Sequence, residues 1–143
     1  MGNGLIFIAL PVYMNMAGLA ANNIGLVTSL YYLGLLLGAL YGRHLIARVG
    51  HIRIFAACAA LATVSTMLHS LWNDTVLWGG LRILVGFCNA TLFMTMESWL
   101  SESSTSKNRG IIFGVYQFVT YLGLASGQML MNLFFELLIL ILI

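Results

Sequence analysis

Charge is what this sequence has least of. Six Lys and Arg stand against four Asp and Glu, 7% of 143 residues, for a net charge of +2. No basic run or stripe exists to neutralise phosphates, which argues against nucleic-acid binding. Cysteine is scarce too. Cys58 and Cys88 sit inside apolar runs, so they read as small core residues and not as a disulfide framework. Proline occurs once, at Pro11. Gly2 to Leu10 has no basic flank and no small-residue cleavage pattern, so no secretory leader is expected. What is present is apolar: 61% of the residues are hydrophobic, a composition that belongs in a bilayer.

A crossing needs about 20 residues, so five or six spans is the ceiling for this length. A spanning segment must satisfy its own backbone hydrogen bonds, so each apolar stretch is read as a helix. The expected fold is an all-α membrane protein of five complete or near-complete transmembrane helices plus a partial sixth. The polar punctuation predicts spans at about 5–19, 24–41, 54–68, 76–96 and 111–131, then a partial one at 137–143 after Asn132 and Glu136. Trp72, in the turn from His69 to Asp74, is expected to anchor at the interface.

Basic residues collect on the cytoplasmic side. Alternating the loops puts Arg43, Arg48 and Arg53 on the same side as Lys107 and Arg109, while the opposite loops hold no Lys or Arg. The predicted topology therefore has the N-terminus and both basic loops in the cytoplasm.

An offset of 89 residues aligns the second and fifth spans without a gap. Gly25, Tyr32, Leu33, Gly34, Leu35 and Gly38 fall on Gly114, Tyr121, Leu122, Gly123, Leu124 and Gly127. The two spans run in opposite directions in this topology, so the repeat is inverted, as in transporter folds. Chance alignment of Leu/Gly-rich helices is the alternative, and the flanking spans do not align at that offset. Gly34, Gly38 and Gly42, with Gly123 and Gly127, bare one helical face for close packing.

Arg82 is the charged side chain expected at depth. At 100° per residue Arg82, Gly86, Asn89, Phe93 and Glu97 fall within about one quadrant, giving the fourth span a polar stripe. A guanidinium there must face protein or a water-filled cavity. It is either a substrate- or proton-handling cation or a structural hydrogen-bond anchor. Glu97, at an unfavourable helix end, is expected to seek Arg48 or Arg53 and form a latch. Asn15, Asn22, Gln117 and Gln128 could line a pathway or bond across helices. His44, His51 and His69 lie on two sides of the membrane, so no metal site is expected. No cofactor is expected either. An enzyme is not expected: Ala125-Ser126-Gly127 is faintly similar to the rhomboid protease motif, but Leu124 stands where that motif has glycine and no downstream histidine follows.

Two signatures carry a family resemblance. Residues 42–53 of the second-third loop resemble the cytoplasmic loop motif of the major facilitator superfamily, with Arg48, Gly50 and Arg53 matching its Arg, Gly and basic end. Ala47 replaces the motif's Asp, which leaves Glu97 as the nearby acid. Arg82-x-x-x-Gly86-x-x-x-Ala90 is similar to the fourth-helix motif. Gly50-His51-Ile52-Arg53, Glu97-Ser98-Trp99-Leu100, Asn108-Arg109-Gly110, Tyr116 and Gly127-Gln128 together resemble a bacterial permease subfamily of unknown substrate. The resemblance implies the N-terminal transmembrane half-domain, residues 1–143, truncated at both ends. It also implies a bacterial inner-membrane location and ion-coupled alternating access for the whole transporter. Arg82, Asn89, Asn15 and Gln117 would serve substrate or coupling, and Arg48, Gly50, Arg53, Glu97 and Arg109 a cytoplasmic gate. The expected partners are the bilayer, an unknown small solute, and a missing C-terminal half or a second copy. The rival reading is a structural membrane protein acting as a homo-oligomer without transport.

Overall fold

A computed structural model describes the backbone of residues 2–16, 18, 20–71 and 74–142. It holds five helices: α1 (Gly2–Met16), α2 (Ala21–Val49), α3 (His51–Leu71), α4 (Thr75–Ser103) and α5 (Arg109–Leu142). Four of them, from α2 to α5, are long and apolar enough to cross a membrane.

This corrects the expectation of five spans and a partial sixth. The first expected span, 5–19, is the 15-residue α1, which contains Pro11. Fifteen residues rise only about 22 Å, short of the roughly 30 Å hydrocarbon core. The fifth and expected sixth spans are one continuous helix of 34 residues. Asn132 and Glu136 fail to break it because no Gly or Pro follows Gly127, and an isolated polar side chain leaves the backbone ladder intact. Trp72, the expected interfacial anchor, lies outside the described residues.

The predicted loops also shrink. The basic segment from Gly42 to Val49 is the end of α2, and the turn is reduced to Gly50. Gly50 has φ +89°, the left-handed region that glycine adopts at least cost. Its N–H donates to the Ile46 carbonyl at 2.9 Å, and its own carbonyl accepts from Ile54 N–H at 3.1 Å. One residue thus ends one helix and opens the next. Asp74 opens α4, its side chain accepting from Val76 N–H at 3.0 Å. The polar segment after Glu97 is helical to Ser103, leaving only 104–108 as a turn, where Asn108 Oδ1 accepts from Thr105 N–H at 2.7 Å.

The chain divides into two compact units. In one, α1 packs on α5. The other, from Ala20 to Ser103, is built on α4, with α2 and α3 packed against it. Gly34 meets the backbone of Ile83, Gly38 meets Phe87 and Ala90, and Gly42 meets Thr91 and Met94. Both numbers rise together, so α2 and α4 run parallel. His51 meets Ser98 and Cys58 packs with Cys88, so one number falls as the other rises and α3 runs antiparallel to α4.

Burial in this unit is inverted relative to a water-soluble bundle. Arg82, Asn89, Thr91, Thr95 and Ser65 are buried, while Leu26, Leu36, Leu40, Leu61 and Val64 are exposed. Polar groups turned inward and aliphatic groups turned outward suit a hydrocarbon solvent. The buried threonines satisfy their hydroxyls within the helix: Thr91 Oγ1 donates to the Phe87 carbonyl at 2.9 Å and Thr95 Oγ1 to the Thr91 carbonyl at 2.8 Å.

Candidate functional site

The α2–α4 seam is made by glycine. A Cβ on Gly34 would strike the Ile83 backbone, and one on Gly86 would strike the Tyr31 carbonyl. A Cβ on Gly38 would lie 2.6 Å from the Phe87 carbonyl oxygen. Bare backbone on both helices therefore sets their separation. Gly42 is looser, with Thr91 Oγ1 3.2 Å from where its Cβ would stand.

The polar groups lie on this close contact. Arg82, one turn before Gly86, is 1% exposed and Asn89 is 4% exposed. Asn89 Nδ2 donates to the Tyr31 hydroxyl on α2 at 3.4 Å, a long hydrogen bond. Tyr31 and His69 are both within electrostatic reach of Arg82. Its position supplies that geometry: Tyr31, Gly34 and Gly38 recur at i, i+3 and i+7, one stripe of α2. His69, near the end of α3, donates its Nδ1–H to the Ser65 carbonyl at 2.6 Å, because a carbonyl can only accept. A cation, an amide, a phenol and an imidazole thus gather around one intramembrane helix contact.

The predicted stripe of α4 is therefore half right in burial. Arg82, Gly86 and Asn89 are buried, Phe93 is half-buried and Glu97 is exposed. Asn15 and Gln117 belong to the other unit, on α1 and α5, where both are exposed. In α5 Gly127 is buried and Gly123 half-buried. Tyr32 and Tyr121, equivalent in the 89-residue repeat, are alike in exposure at 60% and 64%.

At the other end of α4 the expected Glu97 ion pair is not formed, and His51 contacts the helix. Among the described residues Glu97 makes no ion pair with Arg48 or Arg53, and all three side chains are exposed. Glu97 is not at a helix end, because α4 continues past it to Ser103. His51 instead engages α4: its Nε2 lies 3.1 Å from Ser98 Oγ and 3.9 Å from Glu102 Oε1. Its ring stacks on Trp99, centroids 6.1 Å apart and 28° between planes. Arg109, at the start of α5, lies over the Phe113 ring at 5.9 Å. Sequence reasoning missed Tyr31 and the joint role of His51 and Glu102. Residues 58 and 51 positions apart carry no local signal of contact.

The model of the Major Facilitator Superfamily matches residues 1–139 of this sequence. The chain belongs to the major facilitator superfamily. It is 32% identical over 123 residues to an uncharacterized MFS-type transporter of Yersinia pestis (strain Pestoides F), covering 86% of this chain and 32% of that protein. It is 33% identical over 130 residues to the uncharacterized MFS-type transporter YcaD of Salmonella newport (strain SL254), covering 85% of this chain and 32% of that one. The chain spans about a third of the length of the curated relatives it matches. No solved structure matches it. Superfamily membership and four long apolar helices make it a multi-pass membrane protein of a family of transporters, not of enzymes.

Proposed function

We propose that this chain is the N-terminal transmembrane part of a secondary transporter that moves a small solute by ion-coupled alternating access. The observation that carries the reading is Arg82, a guanidinium buried at a glycine-built contact between two membrane helices. Such a charge is costly in lipid, and a seam of bare backbone is where two helices can rock. Arg82 and Asn89 are the coupling or solute-binding groups, with Asn15 and Gln117 as further pathway residues from α1 and α5. Both ends of the α2–α3 turn serve the gate: Arg48, Gly50 and Arg53, together with Glu97 and Arg109.

The clustering of Arg43, Arg48 and Arg53 supports a cytoplasmic position for the α2–α3 turn, with the N-terminus on that side of a bacterial inner membrane. The shared Tyr and Gly spacing at an offset of 89 residues supports a repeat between α2 and α5, inverted in the topology that the basic residues predict. A second set of spans, from the remainder of a full-length transporter or from another copy, completes the pathway.

The test is a chimera in which residues 1–143 replace the aligned region of the Salmonella relative, reconstituted in proteoliposomes. Charge movement is recorded on a solid-supported membrane against a panel of sugars, amino acids, organic anions and organic cations. The reading expects at least one solute class to evoke current. A chimera that inserts normally and stays silent, beside a responding parent, overturns it. A stable homo-oligomer of the chain alone, with no current, would favour a structural role.

A further inference from the structure

Among the described residues His51 is the titratable side chain that joins α3 to the last turns of α4, and its polar contacts with Ser98 and Glu102 depend on its protonation. Its neighbours from α4 are Ser98, Trp99 and Glu102, with Glu97 exposed one turn away. From the end of α2 the nearby charge is Arg48, and from its own helix Arg53, both exposed. A cavity of about 330 Å³ beside it, lined by Val49, Gly50, His51, Ile52, Arg53 and Trp99, keeps the imidazole in contact with solvent protons.

We propose that His51 is a proton-operated latch between the start of α3 and the end of α4, closed when the imidazole is charged. In the neutral ring one nitrogen carries no proton, and a single hydrogen bond with the Ser98 hydroxyl is all that Nε2 can make. Protonation leaves both nitrogens as donors. Nε2–H then donates to Ser98 Oγ or to Glu102 Oε1, now as an ion pair, while the imidazolium keeps its place on the Trp99 ring.

Opposing charges do not reverse that sign. The positive end of α3 disfavours a cation at His51, but the negative end of antiparallel α4 lies against it, and the two dipoles offset. Arg48 and Arg53 are exposed to water, and the charged group in near contact with His51 is Glu102, at 3.9 Å. Gly50, at φ +89°, fixes the direction in which His51 enters α3. As control of the cytoplasmic gate the latch rests on the transporter reading; its chemistry does not.

The test uses the chain in lipid nanodiscs with ring-labelled histidine, following each imidazole by NMR between pH 5 and 8 and amide exchange over residues 100–103. After correction for intrinsic pH dependence, exchange in the last turn of α4 is expected to slow about two- to fivefold as His51 charges. That slowing should vanish in Glu102→Gln and in His51→Phe, which keeps the ring stack. Undiminished slowing in Glu102→Gln, or the same exchange profile in His51→Phe, overturns the latch. Neither measurement involves a solute, so silence in the transport assay leaves this result standing, and the reverse holds.

Discussion

A Cβ added to Gly86 would stand 3.1 Å from the Cα of Gly34, and 2.9 Å from the Leu35 nitrogen. The two glycines lie backbone to backbone, and the distance between α2 and α4 is set there. Gly86→Ala or Gly34→Ala therefore forces rigid backbone apart, not a flexible side chain. The expected cost is about 1–3 kcal/mol of stability, read as earlier unfolding in detergent or nanodiscs. Gly25→Ala and Gly114→Ala, where nothing lies within 4 Å, should be neutral or slightly stabilising.

The Asn89–Tyr31 contact should matter less to stability than its burial suggests. At 3.4 Å it is a long hydrogen bond, and interhelical bonds of this kind in membranes couple by only about 0.6 kcal/mol. A double-mutant cycle of Asn89→Leu and Tyr31→Phe is expected to return a coupling of that size. A coupling above about 2 kcal/mol would mean that the two side chains belong to a tighter network.

Gly50 offers a purely conformational test. Its φ of +89° disfavours any Cβ, although nothing crowds the position. Gly50→Ala should destabilise by about 1 kcal/mol through the backbone alone and loosen the entry of α3. The loosening is expected to appear as faster amide exchange at residues 51–54, with the α2–α4 seam unaffected.

Much of the architecture is legible in the sequence, for reasons tied to particular residues. The glycines at 34, 38 and 42 recur every four positions, so a close helix contact is written in the spacing, and α4 is what they meet. Burial of Arg82 follows from its place amid apolar residues. The end of α2 is not legible in polarity: Arg43, His44 and Arg48 look like a loop, yet the helix runs through them and through Gly42, and stops where Gly50 takes a positive φ. Asn132 and Glu136 likewise look like a break by polarity, yet α5 runs through both. Contacts such as Asn89 with Tyr31, or His51 with Glu102, depend on helix rotation, which polarity patterns constrain only to within a face.

The central claim is that Arg82 handles solute or coupling ion and does more than hold α4. Arg82→Gln keeps a hydrogen-bonding side chain and removes the charge, so insertion and folding are expected to survive. The decisive measurement is solute-evoked current in proteoliposomes of the chimera, compared between the parent and Arg82→Gln at equal amounts of inserted protein. A loss of at least about tenfold, equivalent to roughly 1.4 kcal/mol in the barrier or binding step, is predicted. Undiminished current in Arg82→Gln would contradict the account and leave the arginine as a structural anchor.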